Sequence, residues 1–144
     1  MTHLQLVLYV SSATQPMTEA DIAALLVQSR DRNAQLGITG LLLYRDGNFM
    51  QAIEGPSDAI VAVYGSICRD PRHTNVITLI DTPVPTRSFA AWSLGLIHLD
   101  GLGEPVVLCR DECPPVTLDT LTDNYGAVAL LRGFCEQFSV GKRH

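Results

Sequence analysis

Hydrophobic and polar positions along the first part of the chain predict a strand followed by a helix. The apolar run from Leu4 to Val10 predicts the strand, which ends at the turn-forming residues 11–16. A helix is predicted from about Thr18, which can cap it together with Asp21. Residues at helical spacing form one stripe that becomes polar at its end: Ile22, Leu25, Leu26, Ser29 and Asn33. The buried face of this helix is therefore predicted to reach something polar.

The clearest local signal is a β-hairpin centred on Asp46-Gly47, a dipeptide that favours a type I′ turn. The flanking runs 38–44 and 48–54 are predicted as its strands. Alternation along the second strand places Gln51 on the same face as two large apolar residues, Phe49 and Ile53. A buried amide needs hydrogen-bond partners, so Gln51 is a candidate functional residue.

The following segment predicts a second helix and two further strands. Ser57 can cap the helix, which extends to about Arg69 and presents an apolar stripe ending at Ile67. Strands are predicted at 76–80 and 89–99, separated by a Pro-containing loop at 82–86. The element order β-α-β-β-α-β-β is that of an α+β fold, a ferredoxin-like sandwich with two helices on one face of the sheet.

The last part of the chain predicts a covering helix. We expect residues 1–99 to form the main domain and residues 100–144 to form an extension of loop plus helix. That helix begins near Asn124 and carries an apolar stripe. The second face of a two-layer sheet would otherwise be bare, so this C-terminal helix is predicted to cap it or to pair with another chain.

Composition and charge narrow the class of protein. With 144 residues, 47% of them hydrophobic, the chain is long enough for one globular domain. The net charge of −5 argues against nucleic-acid binding, and no stretch resembles a signal peptide or a membrane span. Its four cysteines lack metal-ligand spacing, so we expect a cytoplasmic protein with no metal site. The charged fraction of 17% suggests a covered surface, and we expect a homo-oligomer.

No recognised enzyme motif is present, but three polar side chains are predicted to converge. In a ferredoxin-like sandwich the first and third strands are central, which brings Tyr9, Gln51 and Asn33 between helices and sheet. A phenol and two carboxamides suit the edge of a flat heterocycle, whose faces Leu25 and Ile67 would contact. Each polar residue taken alone is better explained as hydrogen-bonded structure, and only the three together point to a ligand.

Five segments in the right order resemble one known family, the BLUF domain, a blue-light sensor that uses FAD. They are residues 8–13 (LYVSSA), 29–40 (SRDRN with GITG), 49–55 (FMQAIEG), 70–73 (DPRH) and 87–93 (RSFAAWS). The resemblance covers about residues 4–98 and implies the ferredoxin-like fold predicted above. It also implies FAD as the cofactor.

The resemblance implies a role for each matching residue. Tyr9 matches the tyrosine that gives an electron and a proton to excited flavin. Gln51 matches the glutamine that then rearranges and red-shifts the absorption. Asn33 matches the asparagine that holds the other carbonyl edge of the ring, and Ser29 a serine near the tyrosine–glutamine pair. Trp92 matches a tryptophan that alternates in and out of the pocket.

Further positions are implied to hold the cofactor. Leu25 and Ile67 match the apolar residues that flank the ring, and the turn containing Asp70, Arg72 and His73 lies on its ribityl and phosphate side. The cofactor-binding set also includes Ile38, Thr39 and Arg32. Arg32 departs from the family, which often has Asn or His there, and brings a cation toward a phosphate. Leu94 departs as well, because the family usually has Met at that position.

The sequence thus predicts a short blue-light photoreceptor that is not itself an enzyme. Its red-shifted state would signal through the C-terminal part to an unidentified downstream protein partner. Two alternatives remain at this point. One is a flavin-dependent redox enzyme on the same scaffold, and the other is a ferredoxin-like dimerisation module that binds no cofactor.

Overall fold

Three helices and six strands follow one another in the computed structural model, which describes residues 3–89, 95–98, 106–107 and 126–141. The helices are α1 (Glu19–Leu36), α2 (Ser57–Arg69) and α3 (Ala127–Gly141). The strands are β1 (Leu4–Ala13), β2 (Thr39–Arg45), β3 (Asn48–Pro56), β4 (His73–Val84), β5 (Gly95–His98) and β6 (Val106–Val107). None of the helices in these ranges is long and apolar enough to cross a membrane.

The strands form one sheet in the order β4-β1-β3-β2-β5-β6. Pairing is antiparallel between β1 and β3, β1 and β4, and β2 and β3, whereas β2 and β5 are parallel. The fold is α+β and ferredoxin-like, as predicted, with β1 and β3 side by side in the centre. Their register places Tyr9 directly opposite Gln51.

Local signals explain why α1 and the hairpin form where they do. The Thr18 hydroxyl accepts the backbone N–H of Asp21, and the Asp21 carboxylate accepts that of Thr18, which completes the predicted capping box. Asp46 and Gly47 both have positive φ, 50° and 80°, as a type I′ turn requires. Both predictions are confirmed.

The sheet is covered on both faces. Helices α1 and α2 pack on one face, where Ile22 and Leu26 contact Leu42 and Phe49, and Ile60 and Ile67 lie with Val7 and Tyr9. Alternate residues of the strands face α3, and this second core is formed by Leu6, Leu8, Leu41, Leu43, Met50, Ala52, Val84, Phe89, Ala127, Val128, Leu131 and Phe134. Helix α3 therefore covers this face of the sheet. Strands β1, β2 and β3 contribute alternate side chains to the two layers.

Three local predictions were wrong. Strand β4 continues through Pro83 to Val84, which pairs with Leu4, where a loop was predicted at 82–86. Proline, which has no backbone N–H to donate, is tolerated because β4 is an edge strand with a neighbouring strand on one side only. Phe89 lies outside any strand, so β5 begins later than predicted. The Ser57 hydroxyl bonds the carbonyl of His3 instead of capping α2.

The close approach of β2 to β3 at Gly40 predicts a large destabilisation by a single methyl group. A Cβ atom built at Gly40 would lie 2.2 Å from the carbonyl oxygen of Ala52. We expect Gly40→Ala to lower the free energy of unfolding by about 3 kcal/mol in denaturant titrations. The control is Gly133→Ala in α3, where a Cβ meets nothing within 4 Å. There alanine should stabilise by about 0.5–1 kcal/mol, and equal effects at both sites would contradict the prediction.

Candidate functional site

A cavity of about 480 Å³ lies between the two helices α1 and α2 and the sheet. Both helices, the two central strands and the turn before β4 contribute to its wall. The lining residues are Tyr9, Leu25, Gln28, Ser29, Arg32, Leu42, Phe49, Gln51, Ser66, Ile67, Arg69, Asp70, Arg72 and His73. The sequence-predicted phenol, amide and apolar side chains thus meet at one place.

The wall formed by the sheet carries a buried hydrogen bond between its two central strands. The Tyr9 hydroxyl donates to Oε1 of Gln51, and the two side chains are only 3% and 4% exposed. Both residues point to the same face because they are opposite each other in the β1–β3 ladder. The amide whose burial looked anomalous in the sequence therefore has a hydrogen-bond partner.

Burial determines the protonation state of Tyr9. Removal from water raises the pKa of the Tyr9 phenol far above its usual value, and nearby Tyr64 raises it further. The ring of Tyr64 packs against that of Tyr9 with centroids 5.5 Å apart. Tyr9 is consequently a neutral phenol that keeps its proton throughout the physiological range.

Apolar side chains from opposite elements line the space in front of this pair. Leu25 comes from α1 and Ile67 from α2, while Leu42 and Phe49 come from neighbouring strands. Phe49 is held by ring contacts with Tyr44, at a centroid distance of 4.8 Å. The space is therefore suited to a flat group with apolar faces and a polar edge.

His73 ties the far side of the cavity to three elements. Its Nε2 lies 2.5 Å from the carbonyl oxygen of Ile67, and its Nδ1 lies 2.8 Å from the hydroxyl of Ser11. A carbonyl only accepts, so Nε2 carries a proton. The ring also stands edge-on to Tyr9 and Phe49, at 6.1 and 6.2 Å. His73 thereby fixes the turn before β4 against β1 and α2.

Positive charge collects at the cavity although the chain as a whole is negative. Arg32, Arg69 and Arg72 line it, against one carboxylate, Asp70. Asp70 accepts the backbone and side-chain N–H groups of Arg72, which lowers the pKa of its carboxyl group and raises that of the Arg72 guanidinium. Partial burial lowers the pKa of Arg32. Such a set favours an anionic ligand group.

Comparison with known proteins identifies the family. The family model described as sensors of blue-light using FAD matches residues 4–95. The chain belongs to the BLUF family. Subunit beta of the photoactivated adenylate cyclase of Euglena longa is 48% identical over 87 residues, which cover 60% of this chain and 10% of that protein.

Two further BLUF relatives support the assignment. The blue light- and temperature-regulated antirepressor BluF of Escherichia coli strain K12 is 38% identical over 68 residues, 47% of this chain and 17% of that protein. The dark-state structure of BlrB, a BLUF protein, has a TM-score of 0.66 and 36% identity, over 69% of this chain and 75% of that one. The matched region of the chain therefore spans only 10% of the cyclase subunit and 17% of the antirepressor.

Most residues predicted for the BLUF cofactor site line the cavity, and three of those that the structure describes do not. Asn33 is fully buried, and its Oδ1 accepts the Arg32 guanidinium at 3.3 and 3.4 Å, so it lies beside a lining residue. Ile38 packs in the core beneath α2, and Thr39 bonds Glu54 and Arg87. Trp92 lies outside the described residues, as does Leu94.

Several lining residues are not among those predicted from the sequence, including Gln28, Phe49 and Arg69. A signal for Gln28 was present, because Leu25, Gln28 and Arg32 recur at helical spacing along one face of α1. Arg69 carries no such signal. It follows the last buried residue of α2, and only the packing of α2 brings it to the cavity.

The raised pKa of Tyr9 predicts a specific loss of stability in alkali. Above about pH 10 a tyrosine in the unfolded chain ionises whereas buried Tyr9 does not, so unfolding releases a proton. We expect the free energy of unfolding to fall with pH more steeply in the wild type than in Tyr9→Phe. The wild type should lose about 1.4 kcal/mol more than Tyr9→Phe between pH 9 and 11, and the difference in slope should approach about 1.4 kcal/mol per pH unit at the upper end of that range. Parallel slopes in urea titrations between pH 9 and 11 would contradict it.

Proposed function

We propose that this chain is a blue-light sensor that binds FAD and converts light into a change of hydrogen bonding at Gln51. The buried bond from Tyr9 to Gln51 at the cavity wall carries the proposal, since it joins a phenol that can lose a proton to an amide that can receive one. Membership of the BLUF family supports it.

The lining residues fit a phosphorylated flavin. Leu25 and Ile67 suit the faces of a flat ring, and the amino group of Gln51 suits a carbonyl on its edge. The cationic side chains of Arg32, Arg69 and Arg72 suit phosphate oxygens. We assign FAD instead of an unphosphorylated flavin on this charge.

When bound, the flavin supplies the absorption of blue light and an excited state that accepts an electron. Tyr9 is the donor, because it is a neutral phenol in contact with the cavity. Loss of an electron makes a phenol strongly acidic, and Oε1 of Gln51 is the acceptor already bonded to its proton. Receipt of that proton reverses the donor and acceptor roles of the pair, so Gln51 presents altered hydrogen bonding to the cavity.

The other predicted residues are assigned supporting roles. Ser29 on α1 is buried and lines the cavity, where its hydroxyl can accompany the rearrangement of Gln51. Asn33 holds the remote carbonyl edge of the ring in exchange for its present bond with Arg32. Asp70 orients Arg72, and His73 fixes the turn that carries both. Trp92 reports the change to the strand that follows it.

The output of the sensor is assigned to protein contacts. The relatives include an adenylate cyclase subunit and an antirepressor, both of them far longer than the matched region. We propose that this chain, as a homo-oligomer in the cytoplasm, passes its lit state to a downstream protein. Helix α3 is suited to this role because it covers the sheet face opposite the cavity.

Removing one hydroxyl group should separate cofactor binding from the light response. We expect Tyr9→Phe to retain FAD, because the ring keeps its packing, and to lose the reversible red shift after blue light. Gln51→Ala should likewise bind FAD without forming a red-shifted state. Absorption spectra in the dark, after illumination and during recovery measure both effects.

Tyr44→Phe is the matched control for this experiment. Tyr44 is also a buried tyrosine of the sheet, and its hydroxyl bonds the backbone of Met17 at 3.4 Å, away from the cavity lining. The photocycle of the Tyr44→Phe variant should resemble that of the wild type. A lasting red shift in Tyr9→Phe, or its loss in Tyr44→Phe alone, would overturn the proposed chemistry.

The cationic lining predicts a preference among flavins. Arg32→Gln should weaken binding of FAD and FMN by about tenfold, through loss of a charge-assisted hydrogen bond, and leave riboflavin unaffected. Arg132→Gln, an exposed change on α3, should affect none of the three ligands. Fluorescence titration measures the affinities, and an equal loss for riboflavin would argue against a phosphate contact.

A further inference from the structure

Glu54 is a buried carboxylate outside the cavity. It is fully excluded from solvent, and both of its oxygens accept backbone N–H groups from the segment after β4. Ser88 donates to Oε2 at 2.9 Å, and Phe89 donates to Oε1. The Thr39 hydroxyl bonds Oε1 as well, at 3.4 Å. One side chain of β3 thus holds two consecutive residues of a non-strand segment.

Arg87 also attaches the segment after β4 to the rest of the fold. Its guanidinium donates to the Thr39 hydroxyl at 2.9 Å, to the Glu54 carbonyl oxygen at 3.3 Å and to the Gly37 carbonyl oxygen at 2.7 Å. The residue before Ser88 is therefore fixed to the end of α1 and to the start of β2. We call Glu54, Thr39, Arg87 and the Ser88–Phe89 backbone the β3 anchor.

The β3 anchor leads directly into the packing beneath α3. Phe89 is fully buried and belongs to the core that contains Val128 and Leu131 of that helix. Glu54 lies three residues after Gln51 and faces the opposite side of the sheet, because side chains alternate along β3. The strand therefore carries the cavity amide on one face and the anchor of Phe89 on the other.

Burial of this carboxylate has a cost that apolar packing would avoid. Removal from water raises the pKa of the Glu54 carboxyl group, whereas the N–H groups of Ser88 and Phe89 and the charge of Arg87 lower it. An apolar side chain would fill the same space without desolvating a charge. What the carboxylate adds is a directional attachment of two backbone amides to one strand.

We propose that Glu54 is a positioning residue that ties the Ser88–Phe89 segment to β3, so that displacement of β3 at Gln51 is transmitted to Phe89 and α3. The transmission of light signals rests on the proposed function. The attachment itself does not depend on flavin.

The attachment can be tested in flavin-free protein by amide hydrogen exchange. In Glu54→Gln a single acceptor oxygen remains for two N–H groups, so exchange at Ser88 and Phe89 should accelerate by about tenfold or more. Exchange at Val128 and Leu131 should accelerate with it, whereas the amide of Leu8 in the centre of the sheet should not. Glu19→Gln removes the same charge from an exposed position of α1 and should change none of these rates.

The coupling can be tested in the FAD-loaded protein. Illumination of the wild type should alter exchange at Val128 and Leu131. Glu54→Gln should keep the red shift at Gln51 and lose that change in α3, a combination that general destabilisation does not produce. Should Glu54→Gln fail to fold, Arg87→Gln at the rim of the anchor should give the same pattern with smaller amplitude.

Two results would overturn the proposal. One is unchanged exchange at Ser88 and Phe89 in folded Glu54→Gln, and the other is a light-induced change in α3 of wild-type size in that variant. If the wild type shows no red shift, the proposed function fails, and the flavin-free comparison still decides whether Glu54 holds the segment.

Discussion

The hydrogen bond from Tyr9 to Gln51 depends on the register of two strands and in turn determines what the cavity can do. The two residues face each other across the β1–β3 ladder, and a slip of one residue in either strand would turn one of them to the α3 side. That register is stabilised by two cores at once, because neighbouring residues of both strands are buried on both faces. The packing on both faces of the sheet therefore maintains the hydrogen bond between Tyr9 and Gln51.

The sheet separates two environments that the same strands connect. On the side of α1 and α2 the packing is incomplete and leaves a cavity with a polar edge and a cationic lining. On the side of α3 the core is continuous, and Glu54 holds Phe89 within it. Among the described residues, the β-strand backbone and the segment attached to it connect the cavity face to the α3 face, and such closely packed elements are suited to transmit small displacements.

Local sequence rules predicted a large part of the fold. The capping box of Thr18 and Asp21, the turn at Asp46-Gly47 and the alternation along β3 act over few residues, so they could be inferred without long-range information. The errors arose where long-range pairing overrides local preference. Pro83 is accommodated because β1 pairs with β4 beyond it, and Ser57 finds the carbonyl of His3, a partner remote in sequence.

The sequence alone determined the element order, the family resemblance and the candidate residues Tyr9, Gln51 and Leu25, since periodicity and motifs depend on neighbours along the chain. Only the tertiary structure decided that Tyr9 donates to Gln51, that Arg32, Arg69 and Arg72 share one cavity, and that Thr39 belongs to the anchor of Glu54. These facts concern distances between residues far apart in sequence. Such distances are set by how helices and sheet pack, and no local pattern contains them.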